Sequence, residues 1–429
     1  ILFLFPDQWR FDWTSLNPEL PIRTPSLEKL AQQGVRFTRA LSPSPLCAPC
    51  RAILATGFDY PDCPIKSNQQ DLPLDAVTFY QRLREAGYEV MGCGKFDLHK
   101  DTLDWGLDGK RDTQAWGFSR AIDNEGKFDG VRSSIDGPKG PYLHALQQAG
   151  LDQIHRDDFE RRRQDHLDDS PTLLPENLYC DNWLTANGLR LLRETPVGKP
   201  WFLQVNFTGP HDPWDVTEAM KKLYPDIPFP PAVANTEWPA DRVNGMRCNY
   251  AAMCENIDRL IGEFLAEVER RGELDRTLIV FSSDHGEMLG DHTRNGKAVP
   301  YQPSIGVPLI MAGPGIPVAE TRTQPISILD LAGVFLESAG LPIDDRMSCR
   351  PLTQILADEP QIVLSQLADW ICAWDGRYKL IHNYAGEDHL YDLEHDPGEC
   401  TNLLSSIPES AEPALSRLRA AIAERQNLT

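Results

Sequence analysis

The chain has no apolar run approaching the roughly 18 residues that suggest a membrane span, so no membrane-crossing segment is expected. It has no basic excess either: 63 Asp and Glu outweigh 42 Lys and Arg, giving a net charge of −21. Such a balance argues against non-specific nucleic-acid binding, which needs clustered Lys and Arg against phosphates. Regular cysteine spacing is also missing. The ten cysteines are scattered, several within apolar segments (Cys93, Cys248, Cys254, Cys372), which suits buried free thiols better than a disulfide framework. A cytoplasmic, reducing compartment is therefore favoured over a periplasmic or secreted one. Ile1 opens directly in a strand-like segment, so the sequence is silent on export. The Cys47–Cys50 spacing admits a redox pair or half of a zinc knuckle, but the second Cys-x-x-Cys that the zinc reading needs is absent. Internal repeats and low-complexity tracts are absent too.

What is present is an ordinary globular composition, 429 residues with 41% hydrophobic and 24% charged content, long enough for one large domain and a smaller one. Short apolar runs alternate with helical periodicity up to about Gly340. Strands are expected at 1–5, 88–91, 201–207, 277–281 and 307–311, and helices at 26–33, 77–86, 177–194, 246–271 and 326–338. This alternation predicts an α/β fold, a sheet layered between helices. From about Gln361 the pattern changes to short strands (361–366, 370–374, 377–382, 389–393) and a closing helix over 410–425, an α+β appendage. The domain reading is 1–345 for the α/β domain and 346–429 for the C-terminal subdomain. The polar stretch 101–175 has little periodicity and reads as an insertion bordering a substrate pocket.

Cys47-Ala48-Pro49-Cys50-Arg51 is the most informative segment, followed by a helix-like run, Ala52 to Ala55, and Thr56-Gly57. It puts Cys47 at a helix start, where free backbone N–H groups and the helix dipole favour an anion. Four further groups follow expected strands directly: Asp7, Lys95, His211 and the pair Asp284-His285. Ligands of open α/β sheets bind at the carboxyl ends of the strands, so these groups should converge beside Cys47. Asp7, Gln8, Asp284 and His285 are candidate metal ligands, their oxygens suited to Ca²⁺ and the imidazole better suited to Mn²⁺ or Zn²⁺. Arg51, Lys95, Lys297 and His211 are candidate groups around an anionic substrate. Alone, each would more often be a surface or turn residue; together they are a site. They also resolve the conflict between an anionic substrate and an acidic chain, since a metal and a few basic side chains invert the field locally.

With these segments in view, the chain resembles the formylglycine-dependent sulfatases of the alkaline-phosphatase superfamily. The matches are Ile1–Arg10, Thr24-Pro25-Ser26-Leu27 to Phe37, the Cys-x-Pro-x-Arg motif at Cys47–Gly57, Gly94-Lys95, Pro210-His211-Asp212-Pro213, and Ser283-Asp284-His285-Gly286-Glu287. Gly290-Asp291-His292, Gly296-Lys297, Val307-Pro308-Leu309 and the ending Leu390-Tyr391-Asp392-Leu393 with Asp396-Pro397-Gly398-Glu399 complete the series. The resemblance implies an alkaline-phosphatase-like, mixed but mostly parallel sheet between helices. It implies hydrolysis of a sulfate ester, with one divalent cation (Ca²⁺, or else Mn²⁺) held by Asp7, Gln8, Asp284, His285 and position 47. Cys47 would be oxidised by a formylglycine-generating enzyme, and the hydrated aldehyde would attack sulfur. Arg51, Lys95, His211 and Lys297 would serve the transferring group and the departing alcohol. The expected partner is a small anionic ester; a homo-oligomer is allowed.

Three positions depart from the family pattern. Gln8 stands where many members have a second acid, as in the branch of phosphonate monoester hydrolases and choline sulfatases. Asp97 occupies the His position of Gly-Lys-x-His, so His99 becomes the candidate for that role. Gly306 replaces an Arg before Val-Pro-Leu. A phosphonate monoester or phosphodiester hydrolase with the same residues is the alternative expectation, followed by a silent anion-binding relative and a thiol oxidoreductase. Trp105, Trp116, Tyr142 and Trp214 could stack on a substrate, although such aromatics are more often core.

Overall fold

Apolar residues at consecutive positions mark the first strand, Leu2–Leu4 (β1), as one buried on both faces. Leu2 and Leu4 join one hydrophobic core with Met91, Leu203 and Phe281; Phe3 and Phe5 join a second with Ala48, Phe202 and Phe335. The other strands are Gly34–Leu41 (β2), Glu89–Gly94 (β3), Arg120–Asp123 (β4), Trp201–Asn206 (β5), Ile279–Ser282 (β6), Gly306–Ala312 (β7), Glu320–Arg322 (β8), Ile326–Ser327 (β9), Val363–Leu367 (β10), Trp370–Trp374 (β11), Tyr378–Tyr384 (β12) and Glu387–Asp392 (β13). The computed structural model describes residues 1–357, 359 and 361–426. Among them, nine strands form one sheet in the order β4–β3–β5–β1–β6–β7–β2–β8, with β9 also on β2. All neighbours are parallel except at β7, which is antiparallel to both β6 and β2. The sheet is thus mixed and mostly parallel, with helices on both faces, and β1, β2, β3, β5 and β6 all end at one edge.

Strand β2 was not expected from the sequence, because Gly34–Leu41 carries Arg36, Thr38 and Arg39 among its apolar residues. It is nevertheless what delivers Cys47 to that edge: β2 ends at Leu41 and the Cys47–Thr56 helix follows, closed by Gly57 in the left-handed region (φ 69°). The expected helix over 326–338 is shorter. Ile326 and Ser327 pair with Ala40 and Leu41, and the α-helix is Leu331–Ser338; tertiary pairing wins over helical periodicity. The long helix begins six residues earlier than its apolar pattern, at Ala240. The stretch 101–175, with its weak periodicity, contains edge strand β4 and the helices Lys127–Ser133, Pro141–Gln148 and Asp152–Gln164. Part of it therefore belongs to the central sheet. No helix among the described residues is long and apolar enough to cross a membrane, and all ten cysteines are free, nine of them buried.

One glycine fixes how closely the site strands approach. Gly94 has φ 110°, and a Cβ there would lie 1.9 Å from the Asn206 carbonyl oxygen. Its Cα register partner is Asn206, and the next residue, Lys95, donates its N–H to that same carbonyl at 3.1 Å. Only glycine allows this approach, so it determines where Lys95 starts.

Strands β10–β13 form an antiparallel meander. Cys372, Trp374 and Ile381 pack on the main core, while Ile371, Ala373 and Leu380 pack on the helix Glu412–Gln426. A buried ion pair ties this sheet to the loop after Lys297. Lys379 pairs with Glu399 and donates to the Pro300 carbonyl at 2.9 Å, and Glu399 accepts from Gln302 N–H at 2.6 Å. Removing one partner strands the other charge, so Lys379→Met is expected to cost about 3–5 kcal/mol in urea unfolding. A loss below about 1 kcal/mol, the scale of an exposed pair, would contradict a structural role for this pair.

Candidate active site

The Cys47 helix start meets the ends of β1 and β6 in a buried cluster. Cys47 Sγ lies 3.2 Å from His285 Nε2 and 3.8 Å from Asp7 Oδ1. Nδ1 of His285 lies 3.1 Å from the Gly286 carbonyl. With its proton there, Nε2 presents a lone pair towards Asp7 and Asp284, each 3.6 Å away. Ligand atoms of Asp7, Cys47, Asp284 and His285 all lie within 4.8 Å of one another. Two carboxylates, an imidazole oriented by a backbone carbonyl and a modifiable side chain fit a divalent cation.

Arg51, one turn into the helix, crosses behind this cluster. Its Nε donates to Asp284 Oδ2 at 2.9 Å, Nη2 lies 3.6 Å from Asp7 Oδ2, and Nη1 donates to the Lys95 carbonyl at 2.6 Å. Phe5 packs against the guanidinium at 5.1 Å. Lys95 Nζ pairs with Asp7 and lies 3.1 Å from Asp97. Burial alone would push the Asp7 carboxyl up, but Lys95, His211, Arg51 and His285 outweigh it and hold Asp7 well below the usual carboxylate range. Asp284 goes the other way, raised by burial despite Arg51. Cys47 is buried and faces Asp7, both of which raise a thiol; Lys297, Lys95 and His285 outweigh them and bring it well below its ordinary value. The cations around position 47 thus favour an anion there.

Cys47, Lys95, His211 and Lys297 line a cavity of about 380 Å³, together with Asn68, Lys100, Lys127, Arg132 and Asp129. Asp7, Gln8, Arg51, Asp284 and His285 are buried and do not line it. Lys297 Nζ is 2.5 Å from His211 Nε2 and also contacts Gln8 Oε1. The Lys297 ammonium is disfavoured by burial, but Cys47, Asp212 and Asp7 raise it above its ordinary value.

His99 is not brought to the cavity. Asp97 adopts φ 53° and its carboxylate meets both Lys95 and Lys100 (2.7 Å). His99 instead sits between the edges of Trp105 and Trp116, its Nε2 at 3.1 Å from Asp123. Trp105, Trp116, Tyr142 and Trp214 are all core residues, and the aromatic ring at the cavity is Phe128. Residues 101, 103, 126–129 and 132 do line the cavity, from the stretch expected to border it. Asn68 was missed: it accepts from Ala48 N–H at 3.0 Å, and nothing in its loop sequence marks it. Lys100 had a signal, since it shares the post-strand loop with Lys95.

Residues 1–341 match the family described as Sulfatase, and residues 290–427 match the family described as N-sulphoglucosamine sulphohydrolase, C-terminal. The chain belongs to the sulfatase family. Its class is thereby that of the sulfuric ester hydrolases. It is 27% identical to a choline-sulfatase of Rhizobium meliloti, over 98% of this chain and 86% of the relative, and 25% identical to an arylsulfatase of Clostridium perfringens, over 95% and 90%. In fold it is similar to the phosphonate monoester hydrolase of Agrobacterium radiobacter, with a TM-score of 0.80 at 23% identity, covering 100% of this chain and 95% of that one.

If this sulfatase-family cluster holds a cation, Asp284→Asn removes a ligand charge and the nearer of the two carboxylates paired with Arg51. Calorimetric titration with calcium and with manganese should then give a weaker fit than the unaltered protein. The expected loss exceeds the ~10–100-fold that removing a mere supporting residue costs. Equal affinity in both proteins would exclude Asp284 as a ligand.

Proposed function

We propose that the protein hydrolyses the sulfate ester of a small alcohol or phenol in the Cys47 cavity, releasing inorganic sulfate and the alcohol. The observation that carries this reading is the meeting of Cys47, at a helix start, with His285, Asp7, Lys95 and the Lys297–His211 pair in a single site. Converted to formylglycine by a formylglycine-generating enzyme, position 47 would supply a hydrated aldehyde oxygen as nucleophile. A divalent cation, calcium first and manganese second, would be held by Asp7, Asp284 and His285, with the Gln8 amide beside them, and would supply Lewis-acid stabilisation.

The chain's own side chains account for the rest. Lys95 and Lys297 balance the charge of the transferring group. Both are held as cations, Lys95 well above its ordinary value because Asp7 and Asp97 overcome its burial. The Lys297–His211 pair holds a proton at the cavity for the departing oxygen. His211 Nδ1 is fixed by the Asp212 carbonyl at 2.5 Å, which leaves Nε2 facing Lys297. Lys100, Lys127 and Arg132 extend the cationic lining outward, so an anion meets a positive field inside a chain of net charge −21.

A second reading, hydrolysis of a phosphonate monoester or phosphodiester, is favoured by the Asp7-Gln8 pair and by the likeness in fold to a phosphonate monoester hydrolase. These esters carry the same single negative charge as a sulfate monoester, so leaving-group-matched aryl sulfate and aryl phosphonate should be compared on matured enzyme. Sulfate preferred, with Cys47→Ala reduced by at least about 10⁴-fold as for loss of a nucleophile that acts as part of a unit, is the expected outcome. Phosphonate preferred would establish the second reading, and near-normal turnover by Cys47→Ala would overturn both.

A further inference from the structure

The helix Lys127–Ser133 starts beside the lysine that serves the transferring group. Gly126 precedes it with φ 62°, and a Cβ there would lie 3.1 Å from Lys95 Cδ. From that point the helix leads outward. Lys127 is buried, Phe128 half-buried and Arg132 exposed, and all three line the cavity. Residues four apart in a helix lie one above the other on the same face, so Phe128 and Arg132 form one strip of wall. Phe159 braces the Phe128 ring edge-on, with centroids 5.2 Å apart. Arg132 stands about 9 Å beyond Gly126 along the axis at the α-helical rise, a span that one ring and a short substituent cover.

The cations of this lining differ in how far they are committed to the protein. Lys100 lies 2.7 Å from Asp97 and 2.8 Å from Asp129, and Lys127 pairs with Asp215. Arg132 is held more loosely. Among the described residues its partner is Asp129 alone, Nη1 to Oδ1 at 3.3 Å, and the other oxygen of that carboxylate already meets Lys100. With 70% of its side chain exposed, Arg132 keeps the rest of its donor fork for a ligand. Charge points the same way. Five cations face three carboxylates in the lining, Asp101, Asp129 and Asp212, whereas a sulfate monoester brings one negative charge. An alcohol with an anion of its own meets this surplus. A fixed positive charge would be repelled, and Phe128 alone makes no aromatic cage for it.

We propose that Arg132 is a specificity-determining residue that binds a second anionic group, a carboxylate or a further sulfate, carried by the alcohol whose scissile ester lies at position 47. This rests on the proposed ester hydrolysis. The substrate class is then a sulfate ester of an acidic, single-ring alcohol or phenol. Its ring lies along Phe128, and its distal anion takes the guanidinium fork in the two-point contact that suits paired oxygens. Arg132 selects which ester is held and takes no part in breaking its bond.

The test uses matured full-length enzyme and a set of aryl sulfates that share a para-methylene. They are 4-(carboxymethyl)phenyl sulfate, its uncharged amide, and 4-(sulfomethyl)phenyl sulfate, whose sulfonate stands in for a second sulfate without being cleavable. The methylene insulates the phenol, so the leaving groups are closely matched and the ratio of kcat/KM reads recognition. At least one anionic ester should be favoured over the amide by ~10–100-fold, the scale of a hydrogen bond to a charged group. The difference should lie mainly in KM, and the better of the two esters names the anion. Arg132→Met should abolish the preference, and Arg132→Glu should turn it towards the amide. Arg132 is exposed, so neither substitution threatens the fold. Equal handling of the amide and both anionic esters by the unaltered enzyme, or a preference that survives Arg132→Met, would overturn the proposal. Absence of turnover of all of these esters by the unaltered enzyme would overturn the proposed function instead.

Discussion

Asp7 and Asp284 follow the ends of neighbouring strands and lie buried with the Arg51 guanidinium paired to both of them. Two such carboxylates without a cation would be driven to share a proton or to unfold the edge of the sheet. Arg51 arrives there one helical turn after Cys47, so the spacing of Cys47 and Arg51 is also a distance in space. The guanidinium that pairs with both carboxylates is thus rigidly tied to the residue that opens the helix at the cavity. Its third contact, to the Lys95 carbonyl, brings the end of β3 into the same arrangement.

Around this clamp the local charge is opposite to that of the molecule. Lys95, Lys100, Lys127, Arg132 and Lys297 all reach the cavity, and several are anchored by acids: Lys95 by Asp7 and Asp97, Lys100 by Asp97 and Asp129, Lys127 by Asp215. Buried cations persist only when paired, and these five cations outnumber the three carboxylates in the lining, Asp101, Asp129 and Asp212, so the pocket favours an anion. The strong field falls off within a Debye length, so the outer acidic surface does little to steer substrate and little to repel it once inside.

Much of this was legible in the sequence, for a definite reason. Asp7, Lys95, His211 and Asp284 each follow an apolar run closely, and a parallel sheet turns that simple adjacency into shared position at one edge. The motif around Cys47 was visible as a string, but the strand that carries it there was not, since β2 contains charged side chains and pairs on one side with an antiparallel strand. His99 lies outside the cavity lining, between Trp105 and Trp116, and composition does not reveal which way a loop side chain turns. Asn68 meets the Cys47 helix through the Ala48 backbone N–H, a contact that leaves no spacing signal. The stretch 101–175 hid its strand because β4 is short and lies at the sheet edge, where apolar alternation is weakest.

Peptide mass spectrometry of residue 47, run in parallel with sulfate-ester turnover on preparations of differing maturation, tests the central claim most directly. Activity should rise in proportion to the fraction of chains in which sulfur and two hydrogens at Cys47 have been exchanged for one oxygen, and should vanish when that fraction is zero. Full turnover from protein in which Cys47 is wholly unmodified would contradict the account.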